Sequence, residues 1–229
     1  MKKFLATIAA LTLAVPAMAE PISVEEHRTY HSLGCMLLRE CTEGVMQINT
    51  IEDLDKIITQ DYSEQREEFK DLIAEFNRIG VGIFVADGKY FPPGHRGVYH
   101  TKGNNFFLNF TYAWDAETML EVTRHEGWHA AQDCMAGSIH NNNIAIIYHP
   151  DNIPKEYNIR AEVAYNNDPN VVPWEREALY AGDTSYATVN ALKACQHPDG
   201  AMWDVYPPTP KTGEWLINNG YWDKLSCGA

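Results

Sequence analysis

The segment Asp115–Met135 places the strongest constraint on this 229-residue chain. It reads as one long helix, with Asp115 as its N-cap and Gly137 just past its end. The helix carries His125 and His129 four residues apart, with Glu126 beside the first of them. Positions four apart share a helical face, so both imidazoles can reach one tetrahedral cation. Glu126 lies about 100° around the helix from His125. From there it can reach a water on that cation without being a ligand. Zinc lowers the pKa of such a water toward ~7, and a carboxylate can then take its proton. Any fold built on this helix must bring a third ligand to the same face and leave the fourth position open.

The rest of the chain reads as one α+β domain. Val24–Glu40 and Ser63–Ile79 have apolar residues at helical spacing, clearest in Phe69, Leu72, Ile73 and Phe76. Val81–Ala86 predicts a short buried strand, ended by Asp87-Gly88. Residues 91–97, rich in Pro and Gly, read as a loop. Gly97–His100 and Phe106–Tyr112 predict a hairpin turning at Lys102-Gly103-Asn104. Ser138–Pro154 reads as loop, Glu156–Tyr165 as a short helix, and Asn166–Pro173 as a break. Trp174–Cys195 then predicts a second long helix. Prolines 198, 207, 208 and 210 mark an extended tail with one short helix at Trp215–Leu225.

The second long helix offers the third ligand. It opens Trp174-Glu175-Arg176-Glu177-Ala178. With the His-Glu-x-x-His of the first helix, the Glu-x-x-Ala of Glu175 and Ala178 resembles the zincin metallopeptidases of the glutamate-ligand kind, the gluzincins. The resemblance spans about Ile79–Cys195. It implies a small mixed or antiparallel sheet packed on the active-site helix, a downstream glutamate helix, one zinc ion on His125, His129 and Glu175, and Glu126 as general base. Ala178 and Gly182 share a helix side with Glu175 and leave a smooth strip for close packing. Glu162, Glu177 and Asp183 stand as rival ligands, although the Gly-Thr-x-x-Asp pattern of the aspartate-ligand zincins is missing. A third-histidine ligand would require Gly at 132 and His at 135, where this chain has Gln132 and Met135.

The resemblance also implies a sheet edge on which peptide substrate is added as a strand. Phe106–Phe110, just before the active helix, takes that place here, with Phe107 and Asn109 as substrate contacts. A Tyr or His should stabilise the oxyanion. Tyr148 and His149, in the loop between the ligand helices, head a group that includes His140, Tyr165 and Tyr180.

Lys2-Lys3, the apolar run Phe4–Pro16 and Ala17-Met18-Ala19 form a secretory leader with cleavage expected after Ala19. Its apolar run is too short to span a bilayer. This divides the chain into a leader at 1–19, a catalytic domain at 20–195 and a tail at 196–229 packed on it. A secreted or periplasmic location follows, and with it disulfides among Cys35, Cys41, Cys134, Cys195 and Cys227. Cys35 is expected to pair with Cys41, and Cys134 or Cys195 with Cys227. The net charge of −13 disfavours nucleic acid and anionic membrane as partners. The leading expectation is an exported zinc hydrolase acting on peptide or protein. A non-catalytic binding protein that keeps the scaffold around a structural metal, and a cell-wall amide hydrolase, are the alternatives.

Overall fold

A computed structural model describes residues 24–113, 115–136, 139–140 and 144–195, with side chains from 31 onward. The leader, Gly137, and the tail with Cys227 and its short helix lie outside the described residues. The elements are α1 (Val24–Leu37), β1 (Val45–Ile48), α2 (Ile51–Asp55), α3 (Ser63–Ile79), β2 (Gly82–Ala86), β3 (Gly97–His100), β4 (Asn105–Asn109), α4 (Ala116–Met135), α5 (Lys155–Ala164), α6 (Val172–Gly182) and α7 (Ala187–Ala194). The protein is α+β, with a small mixed sheet and seven helices among the described residues. No helix among them is long and apolar enough to cross a membrane.

The sheet order is β1-β2-β4-β3. β2 and β4 run parallel, and both outer strands are antiparallel to their neighbours. Alternate side chains of the two central strands serve two cores. Ile83, Val85, Phe106 and Leu108 face α3 and α4. Phe84, Ala86 and Phe107 face Met36 of α1. Both faces are covered, which is why β4 is buried along its whole length.

β4 therefore does not form the expected edge. It pairs with β2 on one side and β3 on the other. Phe107 and Asn109 are interior, and the free edge beside α4 belongs to β3.

α3 ends at Gly80, whose φ of +82° closes the helix in the left-handed region. Its Arg78 donates to the carbonyls of Leu192 and Cys195 and so holds the end of α7.

The predicted long helix Trp174–Cys195 is two helices. α6 begins at Val172, because Pro173 in a first turn has no N–H to lose. It ends at Gly182, and Tyr186 at φ +60° turns the chain into α7. Arg124 holds this turn open. Its guanidinium donates to the Gly182 carbonyl and Ser185 Oγ, and forks onto the buried carboxylate of Glu68 at 2.6 and 2.8 Å. Glu68 in turn accepts from the N–H of Tyr186.

Cys35 bonds Cys41. Cys134 bonds Cys195 rather than Cys227. α7 lies along α4, with Thr188 donating to the Arg124 carbonyl, so the C-terminal ends of the two helices meet.

Candidate metal centre

α4 and α6 cross closely where Gly182 lies against α4. A Cβ at Gly182 would sit 3.2 Å from the Glu121 carbonyl oxygen and 3.6 Å from His125 Cβ. Gly127 of α4 serves a different contact. It faces Phe76 and Thr188, not α6. With α4 pinned on one side by α3 and α7 and on the other by α6, His125, His129 and Glu175 converge.

The Nε2 atoms of His125 and His129 lie 3.3 and 3.6 Å from Glu175 Oε2. The donor atoms of the three side chains all lie within 4.8 Å of one another. Glu175 Oε2 is buried and makes no well-aligned hydrogen bond. A buried carboxylate oxygen left in this state costs free energy unless something else satisfies it. Two imidazole nitrogens and a carboxylate oxygen form a donor set for a divalent transition ion. The residues present therefore fit a metal.

The charges agree with this. Burial raises the Glu175 carboxyl, but His129 and His125 outweigh burial and hold it well below the usual carboxylate range. Burial lowers the His129 imidazolium, but Glu175 and Glu126 overcome it and hold the group at about 9. The three groups form an acid–base cluster that a cation would enter by displacing a proton.

Behind His129, Gln132 Oε1 meets Nδ1 at 2.8 Å and turns Nε2 toward Glu175. The Gln132 amide donates to Glu177 Oε2 and the Trp174 carbonyl. Glu177 also accepts from Trp128 Nε1 and from the N–H groups of Ile147 and Tyr148. Burial pushes its carboxyl up to about 7 against these donors. Glu177 is thus spent on anchoring the 145–148 segment and stands apart from the cluster. Glu162 accepts from Asn158, and Asp183 from Tyr157 and Arg160. None of the three rivals joins the histidines.

Glu126 is buried on the cleft side of α4. Burial raises its pKa, the two histidines lower it, and Glu175 raises it again, for a net upward shift. β3 runs directly over it. A Cβ at Gly97 would lie 2.8 Å from Glu126 Cγ and 2.9 Å from its Oε1. The N–H of Asn109 bonds to the Arg96 carbonyl, so the N–H and C=O of Gly97 and Tyr99 point to the free side of β3. The Tyr99 backbone lies near enough to Glu126 to lower its carboxyl slightly against burial. Gly97 opens onto a cleft of about 500 Å³, lined also by Glu121, His125, Glu126, Arg160 and Tyr165.

Of the tyrosines and histidines considered for the oxyanion, Tyr165 is the one lining this cleft. Burial, with the Glu175 carboxylate beside it, keeps its hydroxyl protonated far above the usual range. Tyr148 stacks on Trp128 and meets Tyr180 edge-on. His149 caps its own short turn by accepting from the Asp151 N–H. His140 contacts Asn104. Gln132, Gly97 and Tyr165 are the site residues that sequence reasoning left unranked. Only Gln132 carried a local signal, its i+3 spacing from His129.

No family model matches the chain, and no curated protein or solved structure matches it.

Proposed function

We propose that this protein is an exported zinc-dependent peptidase with a zincin-like arrangement of the gluzincin kind. One observation carries the reading. His125 of the His125–His129–Glu175 cluster, the buried Glu126 and Gly97 on the open edge of β3 line one cleft. The leader-like first 19 residues and two disulfides favour export.

His125, His129 and Glu175 would hold the ion. Bound there, it would supply the Lewis acidity that polarises a carbonyl and lets water attack near neutral pH. Substrate backbone adds along β3 at Gly97, which sets its carbonyl beside the cluster. Glu126 accepts the proton of the attacking water and passes it to the leaving amine; its raised pKa suits both transfers. Tyr165 donates a hydrogen bond to the carbonyl oxygen as negative charge builds there.

The test is Glu126→Gln, assayed by metal analysis and by hydrolysis of a peptide mixture. Hydrolysis is expected to fall at least ~100-fold, the scale of a lost general base, with metal content unchanged. Wild-type hydrolysis in the variant would refute the mechanism.

A further inference from the structure

We propose that the cleft selects substrates bearing a carboxylate one to two residues from the reacting bond. This rests on the peptidase reading above and names its substrate class. Two guanidinium groups from distant parts of the chain meet at the outer end of the cleft. Arg96 comes from the loop entering β3, and Arg160 from α5. Both line the cleft, and each approaches a carboxylate oxygen of Glu121 on α4. Glu121 precedes His125 by four residues, about 6 Å along α4. An extended peptide advances about 3.3 Å per residue, which gives the spacing of one to two residues.

The pair is positioned but not saturated. Arg96 Nη1 and Arg160 Nη2 each lie 3.8 Å from a Glu121 oxygen, beyond hydrogen-bonding distance. Arg160 is aimed by a 2.6 Å bond from Nη1 to Asp183, and its other donors make no hydrogen bond among the described residues. Arg96 rests over the Tyr112 ring, 5.5 Å from its centroid. The two side chains are 49% and 43% exposed, so neither needs much desolvation to accept an anion.

Long, half-exposed ion pairs of this kind contribute little. A substrate carboxylate can therefore displace Glu121 at small cost and take the planar fork of a guanidinium in two hydrogen bonds. The chain carries a net charge of −13, which repels anions at long range. Selection for a carboxylate must then come from these two side chains. The same group can be an Asp or Glu side chain or a free C-terminus, and the structure accepts either.

The test measures binding by calorimetry to full-length, zinc-loaded Glu126→Gln protein. The probes are matched five-residue peptides with Glu or Gln at each position in turn, each with a free or amidated C-terminus. Carboxylate-bearing peptides are expected to bind at least ten-fold tighter than their neutral partners. The Glu/Gln pairs and the free/amide pairs show which source is read. Adding Arg96→Gln or Arg160→Gln should bring the ratio toward one, and Arg96→Lys should restore only part of it. Arg96 makes few contacts, so its variants test the idea without threatening the fold. A wild-type-cleft ratio under three-fold, no measurable binding by any probe, or a ratio that survives loss of both arginines would overturn the proposal. Selective binding with no Glu126-dependent hydrolysis in the otherwise unaltered protein would sink the peptidase reading and leave the carboxylate subsite standing.

Discussion

Gly127 lies inside the His-Glu-x-x-His segment, and its replacement by alanine measures how tightly the metal-site helix is clamped. Glycine within a helix costs about 1 kcal/mol relative to alanine, so Gly127→Ala would stabilise an exposed helix. Here the new Cβ would sit 2.5 Å from Phe76 Cζ and 2.8 Å from Thr188 Cγ2. Neither neighbour can yield freely. Both are fully buried, and Phe76 packs on Phe106 at 4.8 Å between ring centroids. Overpacking of this kind costs about 1–3 kcal/mol, and contacts this short fall at the upper end. The balance is a loss of about 2 kcal/mol. In a chain of this size that lowers Tm by roughly 4–8 °C. Gly34 in α1 is the matched control, because a Cβ there meets nothing within 4 Å. Gly34→Ala should gain up to ~1 kcal/mol and raise Tm by roughly 2–4 °C. Both variants would be followed by calorimetry and by urea denaturation of the metal-free protein. Opposite signs are required. If Gly127→Ala were as stabilising as Gly34→Ala, α4 would not lie against α3 and α7 at the distances described, and the placement of His125 and His129 would lose its support.

Two further outcomes follow from the site and its surroundings. Chelation should lower Tm, and zinc at 100 times its Kd should restore about 2.7 kcal/mol; Glu175→Ala should abolish that metal-dependent shift in calorimetry, and its persistence would exclude Glu175 as a ligand. Asp133 is fully buried beneath Tyr99, and burial pushes its carboxyl up to about 6 against the Tyr99 hydroxyl and His140. The folded protein thus keeps this proton longer than the unfolded chain. Its contribution is fully present below the unfolded pKa of about 3.9 and is lost as pH rises through about 6. Asn cannot titrate, so the stability of Asp133→Asn relative to wild type should rise by about 2 kcal/mol between pH 4 and pH 7 in urea titrations. A difference that is flat across that window would refute the assignment.

How much of this was legible in the sequence depended on whether a feature was local. α3 and α4 were readable because apolar spacing and caps lie within one segment. β1 and α2 have four and five residues, too few for a period to show. The break between α6 and α7 was hidden because the cause lies elsewhere in the chain, in Arg124 and Glu68. The hairpin of β3 and β4 was visible, but not which of its strands faces outward. That follows from the parallel pairing of β4 with β2, a contact across a crossover that no turn signal encodes. The sequence therefore points to β4 as the outer strand, and the free edge belongs to β3.

The third member of the candidate cluster shows the same limit at the scale of one helix turn. Glu175 and Glu177 are two residues apart, and on an isolated helix they point about 160° apart around the axis. Sequence pattern alone favours one by resemblance but cannot supply the rotation. The rotation is set by what each face must satisfy. Glu177 sits where its carboxylate accepts from Trp128, Gln132, Ile147 and Tyr148. Turning α6 to bring Glu177 to the histidines would take this acceptor away from all four, and each buried donor left unmet costs about 1–3 kcal/mol. It would also drive the side of α6 that carries Glu175 into the Trp128 core. The smooth strip at Ala178 and Gly182 permits close approach, but the buried amide and indole donors decide the angle of approach. Glu175 is thus the carboxylate left for the histidines because Glu177 is required elsewhere, and the residue that fixes the candidate metal cluster is one that never touches it.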